Sequence, residues 1–114
     1  IYSTVSAFAA LHYDGSVTAW GNSGNGGSLP SGGVSNVQVI YSTVSAFAAL
    51  HYDGSVTVWG DPDNGGTLPD GGVSNIQVIY SAGGAFAALH NDGSVTAWGD
   101  SGGDVSDPFG CNQV

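Results

Sequence analysis

Apolar and polar positions in this chain come in short alternating bursts separated by glycine-rich breaks, a pattern of strands and turns. The clearest burst is AFAALH, residues 7–12, followed by Tyr13-Asp14-Gly15-Ser16 and a second burst, VTAW. Asp-Gly between two such runs is a strong short-range hairpin signal, because the left-handed conformations of a tight turn suit glycine and, less well, aspartate. A third burst, VQVIYS at residues 37–42, is rich in β-formers and reads as another strand. The segment from Gly21 to Asn36 is Gly-, Ser- and Pro-rich and reads as loop, with room for a short fourth edge strand. Its Leu29-Pro30 pair returns as Leu68-Pro69, so the loop is expected to bury one leucine per unit.

With Asp14-Gly15 as a two-residue type I′ loop, Tyr13 faces Ser16, His12 faces Val17, Leu11 faces Thr18, Ala10 faces Ala19 and Ala9 faces Trp20. Alternation then puts Ala9, Leu11, Thr18 and Trp20 on one face of the sheet, and Phe8, Ala10, His12, Val17 and Ala19 on the other. Neither face is strongly polar, so the sheet is expected to be covered on both sides.

The whole pattern repeats. His12, His51 and His90 are 39 residues apart, as are Trp20, Trp59 and Trp98, and the first 39 residues match the next 39 at all but seven positions. The units are residues 1–39, 40–78 and a divergent 79–114, together one repeat-array domain, since a single unit of this size cannot bury enough surface to stand alone. Leu11, Trp20, Leu50, Trp59, Leu89 and Trp98 are the expected repeat core. In the third unit Ser81-Ala82-Gly83-Gly84 stands where the second has Ser42-Thr43-Val44-Ser45. The two ends of the chain are complementary: Asn112-Gln113-Val114 joined to Ile1-Tyr2-Ser3 reads NQVIYS, close to NVQVIYS and NIQVIYS at the internal boundaries. The chain is therefore expected to be a whole number of repeats cut within a strand, a processed product or an excerpt, continued either by more units or by the head of another subunit.

Composition narrows the function. There is no Lys, Arg or Glu, the nine acidic residues are all Asp, and the net charge is −9. That excludes an electrostatic nucleic-acid binder and disfavours docking on an anionic membrane. No apolar run approaches the ~20 residues that span a bilayer. Few charges and many small polar residues suit an extracellular or cell-surface location. Cys111 is the only cysteine, a thiol that is either buried or free, or else one end of an intermolecular bridge or of a pairing with a segment of the native chain beyond this sequence.

The hairpin also resembles a known family. AALHYDGSVTAWGNSGNGG is similar to the regulator-of-chromosome-condensation repeat, through Ala10, Leu11, Asp14, Gly15, Val17, Trp20 and Gly21 and their equivalents in the other two units. Related tandem repeats occur in surface proteins of bacteria and algae. The resemblance implies blade-like antiparallel units of the propeller type. Three blades are too few to close a ring, so an open array is expected rather than a closed propeller.

Each candidate site has a plainer reading beside it. The three histidines are read as satisfied by their own turns, the alternative being a spaced row that binds metal or titrates. Asp61 and Asp63, in Asp61-Pro62-Asp63-Asn64-Gly65, are a weak calcium candidate, and Asp100, Asp104 and Asp107 form a second acidic cluster. Solvated loop carboxylates are the ordinary reading of both, and no other cofactor is expected. The tryptophans are read as core rather than as a carbohydrate-stacking row. Ser, His and Asp recur once per unit in turns, which is how a repeat behaves and not how a single asymmetric catalytic centre behaves, so the chain is read as a non-enzyme. It has no Asn-x-Ser/Thr sequon, while its Ser and Thr are candidate sites for O-linked glycans. The resulting expectation is an all-β tandem-repeat building block with three- to four-stranded antiparallel units. It assembles with copies of itself through its ends, Ile1 and Tyr2 with Asn112, Gln113 and Val114. The alternative is a propeller-type module that binds a protein or a glycan.

Overall fold

The computed structural model describes residues 1–100, and over these the chain is all-β. Nine strands form three separate antiparallel meanders: β1 (Tyr2–Ser3), β2 (Ala7–Leu11) and β3 (Val17–Gly21); β4 (Val37–Ser42), β5 (Ala46–His51) and β6 (Val56–Gly60); β7 (Ile76–Ser81), β8 (Ala85–His90) and β9 (Val95–Gly99). In each sheet the AFAAL strand is central, and the described residues form an open array rather than a closed ring. The loop after β3 holds a one-turn 3-10 segment (Ser23–Asn25), matched by Pro62–Asn64 after β6, where a fourth strand had room. Leu29 and Leu68 are each partly buried against a core, as their recurrence suggested.

The hairpin register differs from the expected one by one residue. Leu11 pairs with Val17, Ala10 with Thr18, Ala9 with Ala19, Phe8 with Trp20 and Ala7 with Gly21. The cause lies in the turn. His12 N donates to Ser16 O at 2.9 Å and Gly15 N to His12 O at 3.0 Å, so the loop is Tyr13-Asp14-Gly15, three residues long. Of these only Gly15 has a positive φ, 88°, where type I′ requires two. The Asp14 carboxylate instead accepts hydrogen bonds from Ser16 N and Ser16 Oγ, at 3.0 and 2.6 Å, and fixes the bend from inside. The same bonds recur at Asp53–Ser55 and Asp92–Ser94.

The slip moves Thr18 and Trp20 to the face of Phe8, Ala10 and His12, and Val17 and Ala19 to the face of Ala7, Ala9 and Leu11. Each sheet thus has one face of small and branched residues and one that is aromatic. Trp20 lies across Phe8 rather than across an alanine, with ring centroids 5.6 Å apart, and the pairs Phe47–Trp59 and Phe86–Trp98 repeat this at 5.5 and 5.6 Å.

The sheets stack with one sense. The small face of the first sheet (Ala7, Ala9, Val17) meets the aromatic face of the second (Ile40, Phe47, Ala49, Trp59) in one core. The small face of the second (Ala46, Ala48, Leu50, Val56) meets Ile79, Phe86, Ala88 and Trp98 of the third in another. Alanine on one side lets the backbone of one sheet approach the rings on the next closely, and ring burial is the main source of stabilisation at ~25 cal/mol per Å². The middle sheet is covered on both sides, as expected. The first sheet is covered only on its small face.

Candidate functional site

The geometry concentrates on the faces between sheets. Each interior interface contains one buried polar contact: Trp59 Nε1 donates to Gly26 O at 3.1 Å, and Trp98 Nε1 to Gly65 O at 3.2 Å. Burying an indole N–H without an acceptor is costly, so the preceding loop must offer a carbonyl there. Gly26 does this from a left-handed C-cap of the 3-10 turn, φ 104°. A Cβ at Gly26 would lie 2.5 Å from the Phe47 ring, so the residue is glycine for both conformational and steric reasons.

The Gly26 loop is itself pinned. Thr4 Oγ1 donates to Asn25 O and Asn25 Nδ2 to Ser6 Oγ, and in the second unit Thr43 Oγ1 donates to Asn64 O at 2.7 Å and Asn64 Nδ2 to Ser45 Oγ at 2.8 Å. The third unit has Ala82 and Gly84 at the Thr and Ser positions, so it lacks both hydroxyls.

Backbone bonds also join neighbouring sheets, in the same pattern at both interfaces. Val5 N donates to Val44 O and Val44 N to Gly83 O, at 2.9 and 2.8 Å; at the hairpin tips Val37 N donates to Gly15 O and Ile76 N to Gly54 O, at 3.0 and 2.9 Å.

The aromatic face of the first sheet lacks such a cover among the described residues. Ile40, Phe47 and Trp59 are buried at 2, 0 and 4% exposure, but their equivalents Ile1, Phe8 and Trp20 are 84, 44 and 45% exposed. Trp20 therefore departs from the core role expected of it, because no sheet lies over its face. Leu50, Trp59 and Trp98 are buried, and Leu11 and Leu89 are partly so. On the outer face of the third sheet Val95 and Tyr80 are exposed, while Ala85, Ala87 and Ala97 between them are buried.

The remaining candidates have local partners. His12, His51 and His90 each bond the threonine of their own hairpin, Thr18, Thr57 and Thr96, at 2.7, 2.7 and 2.6 Å. Asp61 caps the Pro62–Asn64 turn, its Oδ1 accepting from Asp63 N at 2.9 Å and its Oδ2 from Asn64 Nδ2 at 3.0 Å. Asn22 fills the same capping role in the first unit. Among the described residues no group of three or more His, Cys, Asp or Glu side chains is placed to hold a metal ion. Asp104, Asp107, Cys111, Asn112, Gln113 and Val114 lie outside the described residues. The Ser hydroxyl and amide beside Asp14, Asp53 and Asp92 hold those three carboxyls below the ordinary carboxylate range, with a smaller contribution from the nearby histidine. Among the described residues no helix is long and apolar enough to cross a membrane.

No protein-family model matches the chain, and no curated protein matches it.

Proposed function

We propose that this protein is a structural, self-assembling building block of an extracellular filament or surface layer, joined head to tail through strand completion between its Asn112-Gln113-Val114 and Ile1-Tyr2 ends. The observation that carries the reading is the stack itself. The same interface is used twice, in the same sense, without closing, and a heterologous contact repeated without closure is the geometry of a fibre. The role is non-catalytic, and the aspartates, set in loops and turns, keep the fibre's surface hydrated. The resemblance of the hairpin to repeats of bacterial and algal surface proteins agrees with a location outside the cell.

Electron microscopy of purified, uncrosslinked protein tests the reading. Long filaments with an axial repeat of one 114-residue chain are the expected result. Monodisperse particles or discrete rings at every concentration would overturn it.

A further inference from the structure

We propose that Tyr13 and Tyr52 form an oxidative cross-linking site, at which the tips of the first and second hairpins are joined by a covalent bond between two phenol rings. The modification belongs to a single chain and does not depend on the head-to-tail reading above.

Each tyrosine is the first residue of its three-residue hairpin loop. Tyr13 is fully exposed and Tyr52 is 73% exposed, so neither ring serves a core. An exposed ring standing alone is ordinary, but the fold sets these two side by side. The peptide group between Asn36 and Val37 lies between the tips. Its N–H donates to Gly15 O of the first hairpin at 3.0 Å, and its carbonyl accepts from Tyr52 N of the second at 3.2 Å. The fit is close, since a Cβ at Gly15 would lie 3.3 Å from Asn36 Cα. Both loops are closed by the same bond, His12 N to Ser16 O and His51 N to Ser55 O, each 2.9 Å, so the two side chains leave equivalent positions. Sheets packed face to face lie about 10 Å apart, and a tyrosine side chain reaches more than half that distance, so side-chain rotation brings the rings together. The third tip makes the matching bonds, Ile76 N to Gly54 O and Asn91 N to Asn75 O, both at 2.9 Å, but carries Asn91 in place of a tyrosine. Competing targets are few. The chain has no methionine, and Trp59 and Trp98 are buried. Among the described residues the other exposed phenol is Tyr80, which sits in β7 opposite Ala87 and not at a hairpin tip.

The oxidant is hydrogen peroxide, used by a haem peroxidase. Each phenol gives up one electron and its hydroxyl proton and becomes a phenoxyl radical. The two radicals couple through ring carbons ortho to oxygen, forming one C–C bond. The hydrogen on each coupled carbon passes as a proton to its own phenol oxygen, which restores both rings and both hydroxyls. The two electrons and two protons removed reduce one peroxide to two waters. The chain is left two hydrogens lighter, with its first two units tied together. Such a link constrains the unfolded chain as a disulfide does, and so hardens the stack against unfolding.

The test uses the full chain carrying Cys111→Ser, so that no thiol is oxidised, at a concentration where sedimentation shows monomer. Treatment with peroxidase and hydrogen peroxide is expected to give a single-chain product two hydrogens lighter, with dityrosine fluorescence. An endoprotease that cuts before aspartate releases fragments 1–13 and 14–52, which end in Tyr13 and Tyr52; these should be recovered joined through their last residues. Tyr13→Phe and Tyr52→Phe should each lower the dityrosine signal at least tenfold, and Tyr80→Phe should leave it unchanged. A signal that survives either tip variant, fragments joined through Tyr2 or Tyr41, or an oxidised chain with no link between the fragments would overturn the proposal. Products made only of two or more chains would show exposed phenols reacting on collision, and would overturn it as well.

Discussion

Phe8, Phe47 and Phe86 share a sequence context and differ in what lies over them, so one substitution at three places measures the stack directly. Phe47 and Phe86 are fully buried, and truncation of such a ring to alanine costs about 3–5 kcal/mol, part transfer and part cavity. Phe8 keeps 44% of its surface exposed. Full burial of a large apolar side chain stabilises by about 1.5–3 kcal/mol, so the half-covered ring contributes about 1–1.5 kcal/mol, and no closed cavity forms when it is removed. The expected order is therefore Phe47→Ala close to Phe86→Ala, with Phe8→Ala milder by about 2–3 kcal/mol. With a urea slope of about 1.5 kcal/mol per M, the difference separates the midpoints by roughly 1.5–2 M. Urea unfolding followed by tryptophan fluorescence, at a concentration where sedimentation shows monomer, reads it. If the alanine variants at positions 47 and 86 are unfolded without urea, the Phe→Leu series preserves the order at smaller amplitude. Equal shifts at all three positions in the monomer would refute the reasoning, since they would mean that the Phe8 face is already covered within the chain.

Gly26→Ala should destabilise by about 2–4 kcal/mol, because it adds left-handed strain to a clash with the Phe47 ring; thermal melts measure it. At the hairpin tips, Gly54→Ala should cost more than Gly93→Ala. A Cβ at Gly54 meets Ile76 N at 3.3 Å whereas one at Gly93 meets nothing within 4 Å, and both carry the same φ cost. Asp14, Asp53 and Asp92 have folded-state pKa values below the ordinary 3.8. Their stabilisation is complete above that value and is lost as pH falls through the depressed folded values; the melting temperature should drop there, and less steeply in the triple Asp→Asn variant. Assembly should strengthen as sodium chloride rises from about 10 to 150 mM, since each chain carries −9 with no Lys or Arg to offset it; light scattering follows this, and weakening with salt would contradict it.

The strands were legible in the sequence because their signal is local: alternation, β-branched residues and glycine breaks placed β4, β5 and β6 within their observed bounds. The register was not, because Asp-Gly serves two different loops. A two-residue type I′ turn and a three-residue loop with glycine as the only left-handed residue share the same letters. The signal that separates them is Ser16, whose amide and hydroxyl both reach the Asp14 carboxylate. A further sign was available in the pairing. Only the three-residue loop puts Phe8 beside Trp20, and His12 on the face of Thr18, in every unit. The exposure of Trp20 could not be read locally at all. Trp20 and Trp59 sit in nearly the same string of residues, yet one is solvent-facing and the other buried, because burial here is decided by the sheet that stacks on the face and not by the strand that carries the ring. The same fact limits what single-unit reasoning can say about a repeat protein. Phe47 is fully buried because the small face of the first sheet lies over it, and Phe8, on the equivalent face of an equivalent sheet, keeps 44% of its surface because no described sheet does.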